Sequence, residues 1–197
     1  MRLLFLRHGQ TATNVQAAVH RKGDEATLDE TGQGQAVALV SVCRKEGVQA
    51  ICCSSESRAQ ETADIIGEAL SLQPIVLQDL HERDWGDWSG KQWSEIQASL
   101  QSMALGERYE FIPPNGESWR QMEERLRRAL WTVTSMKLDC VAVVSHGGAL
   151  RALMPILKEQ PKETSFHYDF GNASVTIFEL VDGNWHEIAE NDTAHLR

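Results

Sequence analysis

The chain has 197 residues, 42% hydrophobic and 24% charged, a length for one domain and a composition that supports an ordinary core and excludes disorder. A formal net charge of −9 excludes a general binder of nucleic acid or anionic membrane, while leaving room for a local basic pocket that takes a small anion. No apolar run approaches the roughly 20 residues of a membrane span, no secretion-signal pattern opens the sequence, and the cysteines at 43, 52, 53 and 140 have apolar neighbours without zinc-site spacing, so they read as reduced core thiols of a cytoplasmic protein.

Leu3 to Leu6 form a continuous apolar run that reads as a buried strand. It ends abruptly in Arg7-His8-Gly9, and Thr11, Thr13 and Asn14 behind it are suited to cap or open a helix. Gln16 to Glu30 is polar and aperiodic, a long loop beside a candidate site. Thr31 is expected to cap a helix whose stripe is Ala36, Leu39, Val40 and Cys43 and which ends at Gly47. Gln49–Cys53 reads as a second strand, 56–70 as a helix carrying Arg58 in its first turn, and Ile75–Leu77 as a third strand. A dense mix of charge and tryptophan follows at 79–88, then a helix over 91–100 and an irregular stretch over 101–116. A long helix starts near Glu117 or Ser118, with Trp119, Met122, Leu126, Leu130 and Val133 as its buried stripe. Cys140–Val144 reads as a fourth strand, ending in Ser145-His146-Gly147-Gly148 before a helix over 149–157 that Pro155 bends or ends. Asp182-Gly183 between two strand-like runs signals a hairpin.

Short apolar strands alternating with helices predict an α/β three-layer sandwich: a mostly parallel sheet, helices on both faces, and an antiparallel strand near the C-terminus. Residues 1–197 read as a single domain, with an excursion over the site at about 79–116. In such sheets, ligands bind beyond the carboxyl ends of the strands. Those ends carry Arg7 and His8, Arg58, Glu82, and His146. Each alone is ordinary: a hydrogen-bonded histidine, a helix-surface ion pair, a Glu82–Arg83 pair. Together they suit phosphoryl transfer, with cations stabilising the transferring group, neutral imidazole as nucleophile and a carboxylic acid protonating the leaving oxygen.

These residues resemble the signature of the histidine phosphatase superfamily, which includes the cofactor-dependent phosphoglycerate mutases. Arg7-His8-Gly9 with Thr11 and Asn14 is similar to its first motif. Leu28 to Ala36, Ser54 to Ala63, Leu80-His81-Glu82 with Trp85 to Gly90, Asn115 to Ser118, and Val143 to Gly148 resemble its further segments, in the same order. Departures are Gln10, Thr27 and Asp29, which touch loop geometry rather than the catalytic set.

The resemblance implies that His8 is the nucleophile, that Arg7, Arg58 and His146 clamp the phosphoryl oxygens, and that Glu82 serves as acid and then base. It further implies that Asn14, Thr11, Gly9 and a backbone amide near Gly147 contact phosphate or substrate. It implies no metal and no cofactor. Glu117 is a structural partner for a site cation in this reading, and Arg21 and Lys22 are candidates to meet a second charged group. Gly147-Gly148, where mutases usually carry Gly-Asn, and a short excursion favour a phosphatase acting on a small phosphorylated metabolite. The alternatives are a cofactor-dependent phosphoglycerate mutase and a non-catalytic phospho-ligand or protein-binding module. Trp85, Trp88 and Trp93 either wall the substrate or pack the excursion. No nucleic-acid or membrane partner is expected, and a homodimer is left open.

Overall fold

The computed structural model describes residues 1–197. Six strands form one sheet in the order β3-β2-β4-β1-β5-β6: β1 (Arg2–Arg7), β2 (Ala50–Cys53), β3 (Ile75–Val76), β4 (Cys140–Ser145), β5 (Val175–Val181) and β6 (Asn184–Asp192). The first four run parallel; β5 is antiparallel to β1, and β6 to β5. The helices are α1 (Ala12–Val15), α2 (Glu30–Glu46), α3 (Ser57–Leu70), α4 (Trp93–Gln101), α5 (Leu105–Glu110), α6 (Trp119–Thr134) and α7 (Gly147–Leu157). The architecture is the α/β fold expected, and none of its helices is long and apolar enough to cross a membrane.

Strand side chains alternate between two cores, which is why these strands are apolar throughout. Leu3, Phe5, Val141 and Val143 pack with α6 and α7, while Leu4, Leu6, Ala142 and Val144 pack with α2 and α3. The four cysteines are buried and free.

Local details depart from the expected elements. The cap of α2 is Asp29 rather than Thr31: its carboxylate accepts from the Gly32 amide at 2.8 Å, so the residue that departs from the family pattern begins the helix two residues earlier. The stretch over 101–116 contains a helix, α5, that its polar sequence hides. At the sheet edge, β3 is only two residues long and exposed. Residues 78–118 carry a small core of Trp85, Ile96 and Leu100, flanked by Val19, Trp88, Met103 and Phe111. A bridge from Ala18 to Gln92 ties the loop after α1 to this segment.

The turn after β1 is held against α2 by direct backbone contact. A Cβ on Gly9 would lie 2.4 Å from the Gly32 carbonyl oxygen, and one on Gly32 would lie 2.1 Å from that of Gln10. Gly32→Ala is expected to destabilise the protein by about 1–3 kcal/mol through overpacking. The reading is a lower urea midpoint at unchanged slope; a midpoint equal to the wild type would show that the approach is slack.

Candidate active site

Register brings the chemistry together. Arg7 at the end of β1 is level with Ser145 at the end of β4, and Cys53 at the end of β2 is level with Val144. The His8 amide continues the ladder by donating to the Ser145 carbonyl at 3.0 Å. His8 and His146 therefore emerge side by side, with ring centroids 5.1 Å apart.

His8 is buried, and its Nδ1 lies 2.7 Å from the Gly9 carbonyl oxygen. A carbonyl can only accept, so Nδ1 carries the proton and Nε2 keeps its lone pair. The Arg58 Nε–H donates to that lone pair at 3.3 Å. Burial, then the Arg58 cation, His146 and Arg7, hold the His8 pKa well below the usual histidine value.

One carboxylate organises the surrounding groups. Glu56 Oε2 lies 2.9 Å from Arg58 Nη2, 2.8 Å from His146 Nε2 and 3.1 Å from the Glu82 amide nitrogen. Burial alone would raise the Glu56 carboxyl, but His146 and Arg58 outweigh it and hold it far below the ordinary carboxylate range. His146 Nε2 also lies 2.7 Å from Ser54 Oγ, while its buried Nδ1 has no protein partner.

Glu82 accepts from the amides of Arg83 at 2.7 Å and Gly148 at 2.9 Å. Burial pushes its carboxyl up, and His146 with these two amides offsets that, leaving it below its usual value in the ligand-free protein. A Cβ on Gly148 would lie 2.3 Å from Glu82 Oε1, so a side chain there would push the carboxylate from this seat. The acid's segment is pinned by Arg125, which donates to the carbonyls of Asp79, His81 and Glu82 at 2.7–3.1 Å. Glu117 grips Arg125 at 2.5 and 3.0 Å and accepts from the Asp84 amide at 2.9 Å. Glu117 is thus a structural partner, but of Arg125 rather than of Arg7 or Arg58.

Asn14 is oriented by the Thr11 amide and the Asn172 Nδ2, both 3.1 Å from its Oδ1, which leaves its own NH₂ to donate elsewhere. Thr11 is buried behind it as the cap of α1. Arg7 Nη1 donates to the Phe170 carbonyl, and its buried Nε has no acceptor. The loop after α1 lays His20 and Asp24 over the centre. His20 is edge-on to His8 with centroids 6.0 Å apart, and burial, then Arg58, lower its pKa to about 4. Asp24 pairs with Arg58 at 3.2 Å.

A cavity of about 360 Å³ opens here, lined by Arg7, Asn14, His20, Glu82 and Gly147 among others. His8, Arg58 and His146 are buried, with His20 against His8 and Asp24 against Arg58, and do not line it. The fold brings Arg7, His8, Arg58, Glu82, His146, Asn14 and Gly147 together. Three residues expected to touch substrate lie differently. Gly9 spends its amide on Thr62 Oγ1 and its carbonyl on His8, so its part is close packing. Thr11 is covered by Asn14 and His20. Arg21 is exposed near Gly90 and does not line the cavity, because the chain leaves the rim after His20; Lys22 pairs with Asp84 at 3.1 Å. Trp85 and Trp93 line the cavity, whereas Trp88 packs on Phe111 at 5.1 Å. Sequence reasoning passed over Glu56, His20, Asp24, Asn172, Asp169 and Arg151. Of these only Arg151, a lone charge in an apolar helix, carried a local signal.

The chain matches the model of the histidine phosphatase superfamily (branch 1) over residues 3–193. It is 27% identical over 188 residues to the adenosylcobalamin/alpha-ribazole phosphatase of Salmonella typhimurium, covering 93% of this chain and 92% of that protein. It is 29% identical over 201 residues to the metal-independent phosphoserine phosphatase of Arabidopsis thaliana, covering 98% and 82%. Among solved structures, the mycobacterial glucosyl-3-phosphoglycerate phosphatase complexed with VO3 aligns with a TM-score of 0.86 at 30% identity, covering 98% of this chain and 99% of that one.

Glu56→Gln removes the charge that Arg58 and His146 share and keeps one acceptor. The expected cost is about 1–3 kcal/mol of stability, with reduced turnover, measured by equilibrium unfolding and steady-state kinetics. An unchanged midpoint would show that Asp24 alone satisfies Arg58.

Proposed function

The chain belongs to the histidine phosphatase superfamily and is a phosphoric monoester hydrolase; on that premise we propose that it hydrolyses a small phosphorylated metabolite without a metal, through a phosphohistidine on His8. The observation that carries this reading is the fixed tautomer of His8, whose Nε2 lone pair stands against Arg58 and beside His146.

In the first half-reaction, the Nε2 lone pair attacks phosphorus. The ester P–O bond breaks with its electron pair on oxygen, and the Glu82 carboxyl protonates that oxygen. In the second, Glu82 takes a proton from water, the resulting oxygen attacks phosphorus, and the N–P bond electrons return to His8. Arg7, Arg58 and His146 neutralise the charge of the transferring group, and Asn14 and the Gly147 amide at the start of α7 add donors. Hydrolysis rather than mutase chemistry is supported by Gly147-Gly148, where mutases usually carry Gly-Asn, and by the short excursion. The assembled set of His8, Arg58, Glu82 and His146 likewise favours an enzyme over a binding module.

Acid-labile phosphate is expected on the wild-type protein after rapid quench during turnover, and none on His8→Ala. Glu82→Gln should lower turnover by roughly 10²–10⁴-fold. An acid-stable adduct, or activity abolished by a chelator and restored by a divalent ion, contradicts the scheme.

The pH profile follows from two opposite requirements. His8 must be neutral, and its lowered pKa keeps it so well below the ordinary histidine range. Glu82 must hold a proton, and in the free protein its pKa is lowered, so that proton comes in with the substrate or is gained when phosphate charge arrives. Hence kcat/KM should be highest on the acid side of neutrality and fall as pH rises through the second phosphate ionisation, about 6. Loss of activity as pH falls through the histidine range would instead give His8 an ordinary pKa.

A further inference from the structure

The cavity extends away from His8 into a chamber that the proposed chemistry leaves unused. Its walls are the indoles of Trp85, Trp93 and Trp119, and two arginines, Arg83 and Arg151, face it. An adjoining space of about 100 Å³ is lined by these same five residues together with Gln97, Leu100, Arg108 and Phe166. Both guanidiniums lie over one ring: Arg83 is 5.6 Å and Arg151 5.5 Å from the Trp119 centroid. Arg83 is also stacked 4.1 Å over Trp85.

Neither guanidinium has a carboxylate partner within ion-pair distance, although the chain carries 28 acidic residues against 19 Lys and Arg. Their bonds go to neutral carbonyls. Arg83 donates Nε to Glu117 O at 3.3 Å and Nη2 to Phe111 O at 3.0 Å; Arg151 donates Nε to Ser165 O and Nη2 to Phe166 O, both at 3.3 Å. That leaves Nη1 of each without a protein acceptor. Trp119, beside both, carries a buried indole N–H that also lacks one. The wall is therefore rich in donors and poor in acceptors. Burial lowers both arginines, Arg83 to about 10; Glu117 and Glu82 offset part of this for Arg83, Asp169 and Glu82 for Arg151, and the Arg151 charge adds a smaller lowering of Arg83. Two like charges held together in an aromatic wall are relieved by an anion between them. Asp169 and Glu82 are the carboxylates of the cavity wall, and Asp169 acts on Arg7 and Arg151 without reaching ion-pair distance.

We propose that this chamber is a second anion subsite, in which Arg83 and Arg151 recognise a carboxylate on the leaving group of the substrate. The inference rests on the phosphatase reading, which makes the chamber the leaving-group side. It defines the substrate class as a phosphomonoester of a hydroxy acid with a flat or apolar body. Tryptophan faces take the body, and a planar guanidinium fork matches a carboxylate in two-point contact. Arg21 and Lys22, the cations expected to meet a second charged group, lie outside this chamber.

The test compares two esters of the same shape, 3-carboxyphenyl phosphate and 3-carbamoylphenyl phosphate, which differ in charge at the far end. Wild-type kcat/KM should favour the carboxylate by about 10-fold or more, the usual worth of a charge-assisted hydrogen bond. Arg151→Gln and Arg83→Gln should each bring that ratio toward 1, and Arg151→Lys should restore part of it. Calorimetry with 3-hydroxybenzoate against 3-hydroxybenzamide reads the same subsite without chemistry and without any variant. A wild-type ratio of 1 or below, equal binding of the two alcohols, or a ratio unchanged in Arg151→Gln overturns the subsite. Hydrolysis of neither ester, with the hydroxybenzoate still preferred in calorimetry, upholds the subsite and overturns the phosphatase reading instead.

Discussion

The centre depends on one buried carboxylate. Glu56 bonds Arg58 from its own helix, His146 from the end of β4 and the amide of Glu82 from the segment after β3. Arg58 and His146 are fully buried, and a lone charge there would be costly. Sharing one anion offsets that cost for the Arg58 cation, gives the His146 imidazole an acceptor, and also fixes the backbone that presents the acid. Three stretches far apart in sequence are thereby held in one geometry before any substrate arrives, which is the condition under which fixed charges stabilise a transferring group most effectively. Arg125 and Glu117 repeat the device one layer out, spending a guanidinium on three loop carbonyls so that Glu82 keeps its place.

Charge is partitioned along the cavity. At the His8 end, Arg58 is already matched by Glu56 and Asp24. A phosphoryl group that reaches Arg58 exchanges one acidic partner for another, and Asp24, on a loop partly open to solvent, is the partner free to yield. At the far end, Arg83 and Arg151 are anchored only by carbonyls. An acidic chain that keeps two arginines out of ion pairs with its own carboxylates retains guanidinium donors where its average charge would repel an anion.

Most of the parallel sheet was legible because its strands are buried on both faces, and the residues at their tips follow in sequence. His8, Arg58 and His146 could be named for that reason. Glu56 could not: two residues before Arg58, it reads as a solvated acid, and only the strand register turns it inward. His20, Asp24 and Asn172 come from loops whose course is set by distant contacts, such as the Ala18–Gln92 bridge and the Asn172 bond to Asn14. The ordinary alternative for Glu82, an ion pair with Arg83, does not form: the Arg83 backbone amide makes that contact, while its side chain lies over Trp85. Asp29, a departure from the family pattern, turned out to be the α2 cap, so its meaning was local and lay in the Gly32 amide.

The electrostatics of His8 and Glu82 have opposite signs, and a single event reconciles them. Without an anion, burial and three surrounding cationic or histidine groups suppress the basicity of His8, whereas Glu82 is held ionised by His146 and two amides. Lowered basicity favours the neutral imidazole but weakens it as a nucleophile. A phosphoryl dianion between them offsets the cations that depress His8, so its lone pair becomes more basic where phosphorus stands. The same negative charge against Glu82 raises its affinity for a proton, as a general acid requires. In the proposed reaction, substrate charge thus prepares nucleophile and acid together, and a neutral ligand of the same shape would prepare neither. Recognition of the anion and activation of the catalytic pair are then one electrostatic step rather than two.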